Sequence, residues 1–269
     1  MKIQGKTFVV TGGGNGIGRE VSLQLLAGGA RVAAIDLSLE GLNETAALAK
    51  SDKLSTHQVN IADLAQVTSS KVAINAAHGP IDGVINVAGI IQPFVRVNEL
   101  NFDQIKKVMD VNFYGLLNVT KTYLPELISR PEASLANVSS MGGFVAIPGQ
   151  TIYGASKAAV KLLTEGLYSE LKGTGVSVTT IFPGAIGTNI ALNSGIMTQE
   201  QMKQMAANSG PARKTTSVEV AGKAIIDGMV NKKFHVLIGQ DAKTIYFLSR
   251  LMPERAANLI YKNMKDLLG

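Results

Sequence analysis

The stretch Thr11–Gly18, with the sequence TGGGNGIG, decides the fold of this 269-residue chain. An apolar run at 7–10 precedes it, and a helical pattern at 19–26 follows it. A second apolar run, Arg31–Ile35, ends at Asp36. The order strand, glycine turn, helix, strand and acid is typical of the start of a dinucleotide-binding unit.

The choice of glycine in this turn can be explained physically. Without Cβ atoms the backbone can approach a pyrophosphate, and the next helix directs free N–H groups and its positive dipole end toward it. Gly18 would let that helix pack closely on the first strand. The spacing G-x-x-x-G-x-G departs from G-x-G-x-x-G, so a purely structural βα turn is the alternative interpretation.

Asp36 lies 18 residues after Gly18, near the ~20-residue spacing of the acid that binds the adenosine ribose. Its carboxylate would accept hydrogen bonds from the ribose hydroxyls and repel a 2′-phosphate, which favours NAD over NADP. The alternative role is an N-cap for the next helix, where Ser38 could serve equally well.

Strand and helix patterns keep alternating along the rest of the chain. Further strands are predicted at 54–59, 82–87, 134–139, 176–182 and 234–238, and helices at 39–50, 64–77, 101–127 and 151–171. This alternation predicts an α/β protein with a doubly wound, seven-stranded parallel sheet and helices on both faces. We expect one Rossmann-type catalytic domain over 1–240, a substrate lid at 189–215 and a helical extension at 241–269.

Composition excludes several classes of protein. A hydrophobic fraction of 46% with 28 glycines fits a compact globule, and the absence of cysteine excludes disulfides and thiolate nucleophiles. Three scattered histidines form no metal-binding pattern. No apolar run approaches the ~18 residues of a spanning helix, so we expect a soluble, cytoplasmic protein.

The net charge of +6 is concentrated near the C-terminus. Beyond Asn231 there are seven Lys or Arg against three acidic residues, 7 − 3 = +4, and no nucleic-acid motif accompanies them. The region 254–268 predicts an amphipathic helix. It could pack on the body or on a neighbouring subunit, or it could make peripheral contact with an anionic membrane.

Tyr153 and Lys157 lie four residues apart, on one face of the helix predicted at 151–171. Tyrosine has an unperturbed pKa of about 10, and a nearby ammonium would lower it toward a useful range. Alone this pairing is weak, because Tyr-x-x-x-Lys is frequent by chance.

Taken together, the motifs resemble the short-chain dehydrogenase/reductase family. Thr11–Gly18 matches T-G-x-x-x-G-x-G, and Asn86-Val87-Ala88-Gly89 matches N-N-A-G except at Val87. Ser140 stands 13 residues before Tyr153, as the catalytic serine of the family does. Asn112 matches the helix asparagine, and 183–188 matches P-G-x-x-x-T.

The resemblance implies a catalytic set of Asn112, Ser140, Tyr153 and Lys157. Tyr153 would exchange the substrate proton, Ser140 would bind the substrate oxygen, and Lys157 would tune Tyr153 and bind the nicotinamide ribose. Asn112 would hold a water through its amide donor and acceptor. Ser139 is the alternative substrate-facing hydroxyl.

The resemblance also implies the cofactor contacts, by matching position. These are Gly12, Asn15, Gly16, Ile17, Gly18, Asp36, Leu37, Asn60, Ile61, Asn86, Ala88, Gly89, Tyr153, Lys157, Pro183, Gly184, Ile186 and Thr188. The family commonly forms dimers or tetramers through the helices predicted at 101–127 and 151–171, so we expect a homodimer or homotetramer.

The predicted substrate environment is apolar. The residues expected around the reacting carbon are Ile91, Gln92, Met141, Gly142, Gly143, Phe144, Ile147 and Gln150, and those expected to cover it are Met197, Met202 and Met205. We therefore expect an NAD-dependent oxidoreductase acting on a hydrophobic secondary alcohol or ketone. The alternatives are an NADP-dependent ketone reductase and a non-catalytic dinucleotide-binding or peripheral membrane protein.

Overall fold

The computed structural model describes residues 1–198, 200 and 215–265, and the strands within these residues belong to one parallel sheet. The strands are β1 (Thr7–Thr11), β2 (Arg31–Asp36), β3 (Leu54–Gln58), β4 (Gly83–Asn86), β5 (Ala133–Val138), β6 (Val176–Pro183) and β7 (His235–Ile238). Their order is β3-β2-β1-β4-β5-β6-β7. The order reverses between β1 and β4, which opens a crevice at the carboxyl ends of the strands.

Helices cover both faces of this sheet. They are α1 (Gly16–Ala27), α2 (Leu39–Ala49), α3 (Leu64–His78), α4 (Phe102–Met109), α5 (Leu116–Ser129), α6 (Thr151–Glu170), α7 (Ile190–Asn193), α8 (Val218–Val230), α9 (Gln240–Leu251) and α10 (Pro253–Met264).

Alternating side chains of the strands build two cores. Val9 of β1 packs in the cluster that α3, α5 and α6 cover, and its neighbours Phe8 and Val10 pack in the one that α1 and α8 cover. The central strands β1, β4 and β5 are buried along their whole length and are mostly apolar, with exceptions such as Ser134 and Asn137 of β5. The predicted seven-stranded, doubly wound sheet is confirmed.

One predicted helix differs from the structure in a way that matters for the site. The segment predicted as a single helix at 101–127 contains a π-helical turn, Asp110–Gly115, between α4 and α5. The turn surrounds Asn112, whose side chain bonds to Ile90 and Ser156 rather than to its own helix. Asn101 forms a capping box with Gln104 at the start of α4.

The last two helices pack on the body beside β7. Ile245 of α9 and Ala256 and Ile260 of α10 form a small buried cluster with Val145. Pro253 occupies the first position of α10, where its missing N–H costs nothing. None of the described helices is long and apolar enough to cross a bilayer.

Candidate active site

The glycine turn is locked to the segment that follows β4. Gly12 has φ +72°, and a Cβ there would lie 3.0 Å from the Ala88 backbone. A Cβ on Gly18 would collide with the carbonyl of Gly12, so this glycine allows α1 to approach the turn as predicted. Thr11 Oγ1 accepts hydrogen bonds from the backbone N–H groups of Val87, at 3.1 Å, and Ala88, at 3.2 Å.

The N-terminus of α1 opens into the crevice. Asn15 is its N-cap residue, but its side chain makes no capping hydrogen bond and instead accepts one from Asn193 at 2.8 Å. The side chain of Asn15 therefore does not cap the first N–H groups of α1. An uncapped helix N-terminus beside glycines is a favourable place for a pyrophosphate.

Asp36 ends β2 at the rim of the same crevice. Its two carboxylate oxygens accept from the N–H groups of Gly14 and Ser38, both at 2.9 Å. The cap of α2 is Ser38, whose hydroxyl accepts from Gly41 N. The structure thus gives the capping role to Ser38 and leaves the second lone pair of each Asp36 oxygen available.

The crevice is a cavity of about 590 Å³. Most of the predicted cofactor contacts line it: Gly12, Asn15, Gly16, Ile17, Gly18, Asp36, Leu37, Asn60, Ile61, Ala88, Gly89 and Thr188. Ten further lining residues were not predicted as cofactor contacts: Ile35, Ser38, Val59, Val87, Ile90, Lys107, Val111, Ile190, Asn193 and Ser194. Several of these belong to α4, α7 and the π-helical turn, which only the fold brings to the crevice.

Asn86, one of the predicted cofactor contacts, does not line this cavity. Its side chain is 2% exposed and donates to Asn137 Oδ1 at 2.9 Å and Thr120 Oγ1 at 3.2 Å. Asn137 in turn donates to Thr164 Oγ1. The asparagine therefore ties β4 and β5 to α5 and α6 beneath the crevice.

A second cavity, of about 290 Å³, adjoins the first and shares Ile17, Val87, Gly89, Thr188 and Ile190 with it. Its lining also includes Ser140, Tyr153, Lys157, Pro183, Gly184 and Ile186 from the predicted site, and Ile91, Met141, Ile147 and Gln150 from the predicted substrate surroundings. Phe94, Ala185 and Met264 line it without having been predicted.

Other predicted pocket residues lie elsewhere. Phe144 packs edge-to-face on Phe182 and Tyr246, because the turn after β5 directs it toward α9. Gly142, Gly143 and Met197 do not line the cavity either. Met202 and Met205 lie outside the described residues.

The two serines after β5 have different partners. Ser139 donates its hydroxyl to the Lys157 carbonyl at 2.7 Å and is 2% exposed. Ser140 accepts from Gly142 N at 3.0 Å, and it is the hydroxyl that hydrogen-bonds Tyr153. The geometry therefore pairs Ser140, rather than Ser139, with the tyrosine.

The pKa of Tyr153 is shifted in the direction opposite to the lowering that its lysine neighbour was expected to cause. Burial raises the pKa of Tyr153, and the hydrogen bond with Ser140 acts in the lowering direction. Lys157 Nζ lies 6.0 Å from the centre of the Tyr153 ring and donates to the Val138 carbonyl at 2.9 Å. Burial lowers the pKa of Lys157 to about 8, so its ammonium is itself weakened by desolvation.

The side chain of Asn112 makes more hydrogen bonds within the protein than the predicted water-holding role requires. Its amide donates to Ile90 O at 2.9 Å and Ser156 Oγ at 3.0 Å, and its Oδ1 accepts from Ile90 N at 2.8 Å. Both amide hydrogens are thus engaged within the protein. A water at this side chain could use only the remaining lone pair of Oδ1.

Gln92 sets the start of α6, a role that sequence reasoning missed. Its Oε1 accepts from the N–H groups of Ile152, at 2.8 Å, and Tyr153, at 3.0 Å. Its Nε2 donates to Gly149 O, and its carbonyl accepts from Gln150 Nε2. A residue 60 positions away in sequence therefore caps the helix that carries Tyr153, and no local pattern could indicate it.

The described residues contain no cluster of three or more side chains that could hold a metal ion. His57 and His78 both hydrogen-bond Ser55 Oγ, and His235 bonds Glu165 and Tyr246.

A family model for short chain dehydrogenases matches residues 6–199 of this chain. The protein SadH of Mycobacterium tuberculosis is 33% identical over 261 residues, which cover 96% of this chain and 94% of SadH. A Burkholderia phymatum short-chain dehydrogenase/reductase solved with NAD superimposes with a TM-score of 0.84 at 22% identity, over 95% of this chain and 96% of that one. A Burkholderia cenocepacia short-chain dehydrogenase solved with NADP gives 0.79 at 25% identity, over 97% and 99%.

The crevice at the glycine turn and the cavity beside Tyr153 define a nucleotide-binding oxidoreductase with a Rossmann fold. The chain belongs to the short-chain dehydrogenase/reductase family. The solved structures bind NAD in one case and NADP in the other, so the family alone does not choose the cofactor.

Proposed function

We propose that this protein interconverts a hydrophobic secondary alcohol and its ketone with NAD(H). The main support for this proposal is that the two cavities meet. Tyr153 and Lys157 line the smaller cavity, and Gly89 lines both. A group bound in the crevice and a substrate in the smaller cavity would face each other at this junction. Proximity of this kind is what hydride transfer requires.

The crevice fits a dinucleotide. Gly12 keeps the backbone open at the turn, the N-terminus of α1 lacks a side-chain cap, and Asp36 stands at the rim with free lone pairs. Asp36 would accept from the ribose hydroxyls and would repel a 2′-phosphate, which supports NAD over NADP. When bound, the nicotinamide supplies the hydride acceptor or donor.

The side chains of the chain itself would handle the proton. In alcohol oxidation Tyr153 would take the hydroxyl proton of the substrate, and in ketone reduction it would return it. Ser140 would donate to the same substrate oxygen and keep it within reach of the phenol. Lys157 would stabilise the ionised phenol by its charge and bind the ribose that carries the nicotinamide. Asn112 would position Ser156 and the Ile90 backbone behind these groups.

The lining of the smaller cavity supports an apolar substrate. Lys157 is its only charged side chain among the described residues, and the walls include Ile91, Phe94, Met141, Ile147 and Met264. Within the described part of the chain, no second cation lines the cavity to bind a carboxylate or phosphate beside the reacting carbon. Lipophilic alcohols and ketones would fill such a cavity by hydrophobic burial.

The test is a nicotinamide-fluorescence screen of secondary alcohols and ketones with NAD(H) and with NADP(H). We expect turnover of lipophilic compounds with NAD(H), and Tyr153→Phe should lower it roughly 10²–10⁴-fold. Asp36→Ala should raise activity with NADPH if the carboxylate is what excludes the phosphate. Retained activity in Tyr153→Phe, or a preference for sugar acids, would overturn the proposal.

A further inference from the structure

The outer faces of α9 and α10 mix large apolar side chains with cations. On α9, Lys243, Phe247, Arg250 and Leu251 recur at the i, i+4, i+7 and i+8 positions of one helical stripe. Phe247 is 62% exposed and Leu251 is 79% exposed. Both side chains are more exposed to solvent than is usual for large apolar residues. The opposite face of α9 is buried through Ile245 and Tyr246.

The outer face of α10 continues the same surface. Arg255, Leu259 and Lys262 share one stripe at i, i+4 and i+7, and α10 packs directly on α9. Met252 at the joint and Tyr261 add further exposed apolar area. The inner positions Ala256 and Ile260 are buried against the body. Both helices are therefore anchored on one side and present apolar and cationic side chains on the other.

The charges of this surface are predominantly positive. Within 240–265 the exposed ionisable side chains are five cations, Lys243, Arg250, Arg255, Lys262 and Lys265, and one carboxylate, Glu254. The other carboxylate, Asp241, accepts from Ala185 N at 2.7 Å. By contrast, Phe102, which is 87% exposed, is followed by the acidic Asp103.

We propose that this surface, formed by the outer stripes of α9 and α10, binds the anionic face of a lipid membrane. Aromatic and aliphatic side chains flanked by lysine and arginine suit the boundary between headgroups and acyl chains. A second copy of the chain fits less well, because a two-fold interface would bring the same cations against one another.

The surface also stands next to the smaller cavity. Met264, at the end of α10, lines that cavity together with Tyr153. If the proposed function holds, a substrate dissolved in a bilayer would be released close to the site that oxidises or reduces it. Membrane binding itself does not depend on turnover, so the two proposals can fail separately.

The test is flotation of the full chain with vesicles of phosphatidylcholine, alone or with phosphatidylserine added. We expect binding to the anionic vesicles, and Arg255→Ser with Lys262→Ser should weaken it roughly five-fold per cation removed. Phe247→Ser with Leu251→Ser should weaken binding to both vesicle types. The matched controls are Lys53→Ser with Lys121→Ser and Leu48→Ser with Val72→Ser, which change exposed residues on other elements.

Three outcomes would overturn the proposal. They are absence of binding to anionic vesicles, equal binding by the variants and their controls, and a change of oligomeric mass in Phe247→Ser with Leu251→Ser. The last would identify the surface as an interface between copies. Turnover of a water-soluble ketone without vesicles reports on the proposed function independently and should be unaffected by these variants.

Discussion

At the scale of single residues, Lys157 shows how burial competes with charge. Its side chain is 3% exposed and its Nζ donates to the Val138 carbonyl at 2.9 Å, yet burial lowers its pKa to about 8. Burial of this lysine therefore lowers the stability of the folded protein, and it places a positive charge beside Tyr153. Such a cost is typical of functional sites rather than of structural lysines.

Lys157→Met should accordingly stabilise the protein at pH 7. Because the pKa falls from 10.5 to about 8 on folding, the unfolded chain binds more protons between these values, and wild-type stability rises with pH there. The variant lacks this dependence, so its advantage, on the order of 1–3 kcal/mol at pH 7, should shrink as pH rises from 8 to 10.5. Urea denaturation across this range measures it.

Lys121→Met, at an exposed position of α5, is the control and should show no such change with pH. If the gain in stability of Lys157→Met over wild type does not change with pH, the lowered pKa of Lys157 is not its cause.

At the scale of elements, the start of α6 depends on a residue outside the helix. Gln150, its N-cap residue, makes no capping bond with its side chain, and Gln92 supplies the missing acceptor to two N–H groups of the first turn. One of those N–H groups belongs to Tyr153. The position of the phenol therefore depends on a buried amide that follows β4.

Gln92→Leu should lower both stability and turnover, because it leaves two N–H groups of α6 without an acceptor, at roughly 1–3 kcal/mol each. Gln92→Glu keeps the acceptor but loses the donor to the Gly149 carbonyl, so it should recover only part of the turnover. Denaturation and steady-state kinetics measure the two effects. Asn101→Ala removes a comparable cap from α4 and should lower stability alone. If turnover falls in proportion to the loss of stability in both Gln92→Leu and Asn101→Ala, Gln92 does not position Tyr153.

At the scale of the whole molecule, a network of charged side chains around Asp82 lies at the end of the sheet opposite the candidate active site. Asp82, just before β4, accepts from Thr7 N at 3.0 Å, Lys6 Nζ at 3.2 Å and Arg130 Nη2 at 2.6 Å. It joins β1, β4 and the end of α5 at the amino ends of the strands. The crevice and cavity lie at the carboxyl ends, so the two regions share no side chains.

Asp82→Asn should therefore destabilise the protein, by roughly 2–4 kcal/mol at pH 7, without changing kcat. Although burial opposes ionisation, hydrogen bonds from Arg130 and Thr7 hold the pKa of Asp82 below its usual value. Its contribution is present above the unfolded pKa and is lost as pH falls through the folded one, so wild type and variant should converge in acid.

Denaturation at pH 7 and below pH 4 tests this expectation. Asp227→Asn, which breaks an exposed pair with Lys223, should cost less than about 1 kcal/mol. A loss of kcat in Asp82→Asn would show that the two ends of the sheet are coupled.

The sequence by itself determined the alternation of strands and helices, the glycine turn and the acid at the end of β2, because these depend on local periodicity and on fixed spacing along the chain. The tertiary structure decided what depends on distant neighbours. It buried Asn86 beneath the crevice, assigned the α6 cap to Gln92, separated Ser139 from Ser140 by their partners, and brought Met264 to the cavity. It also reversed the expected pKa shift of Tyr153, since desolvation is set by every segment that packs around the phenol.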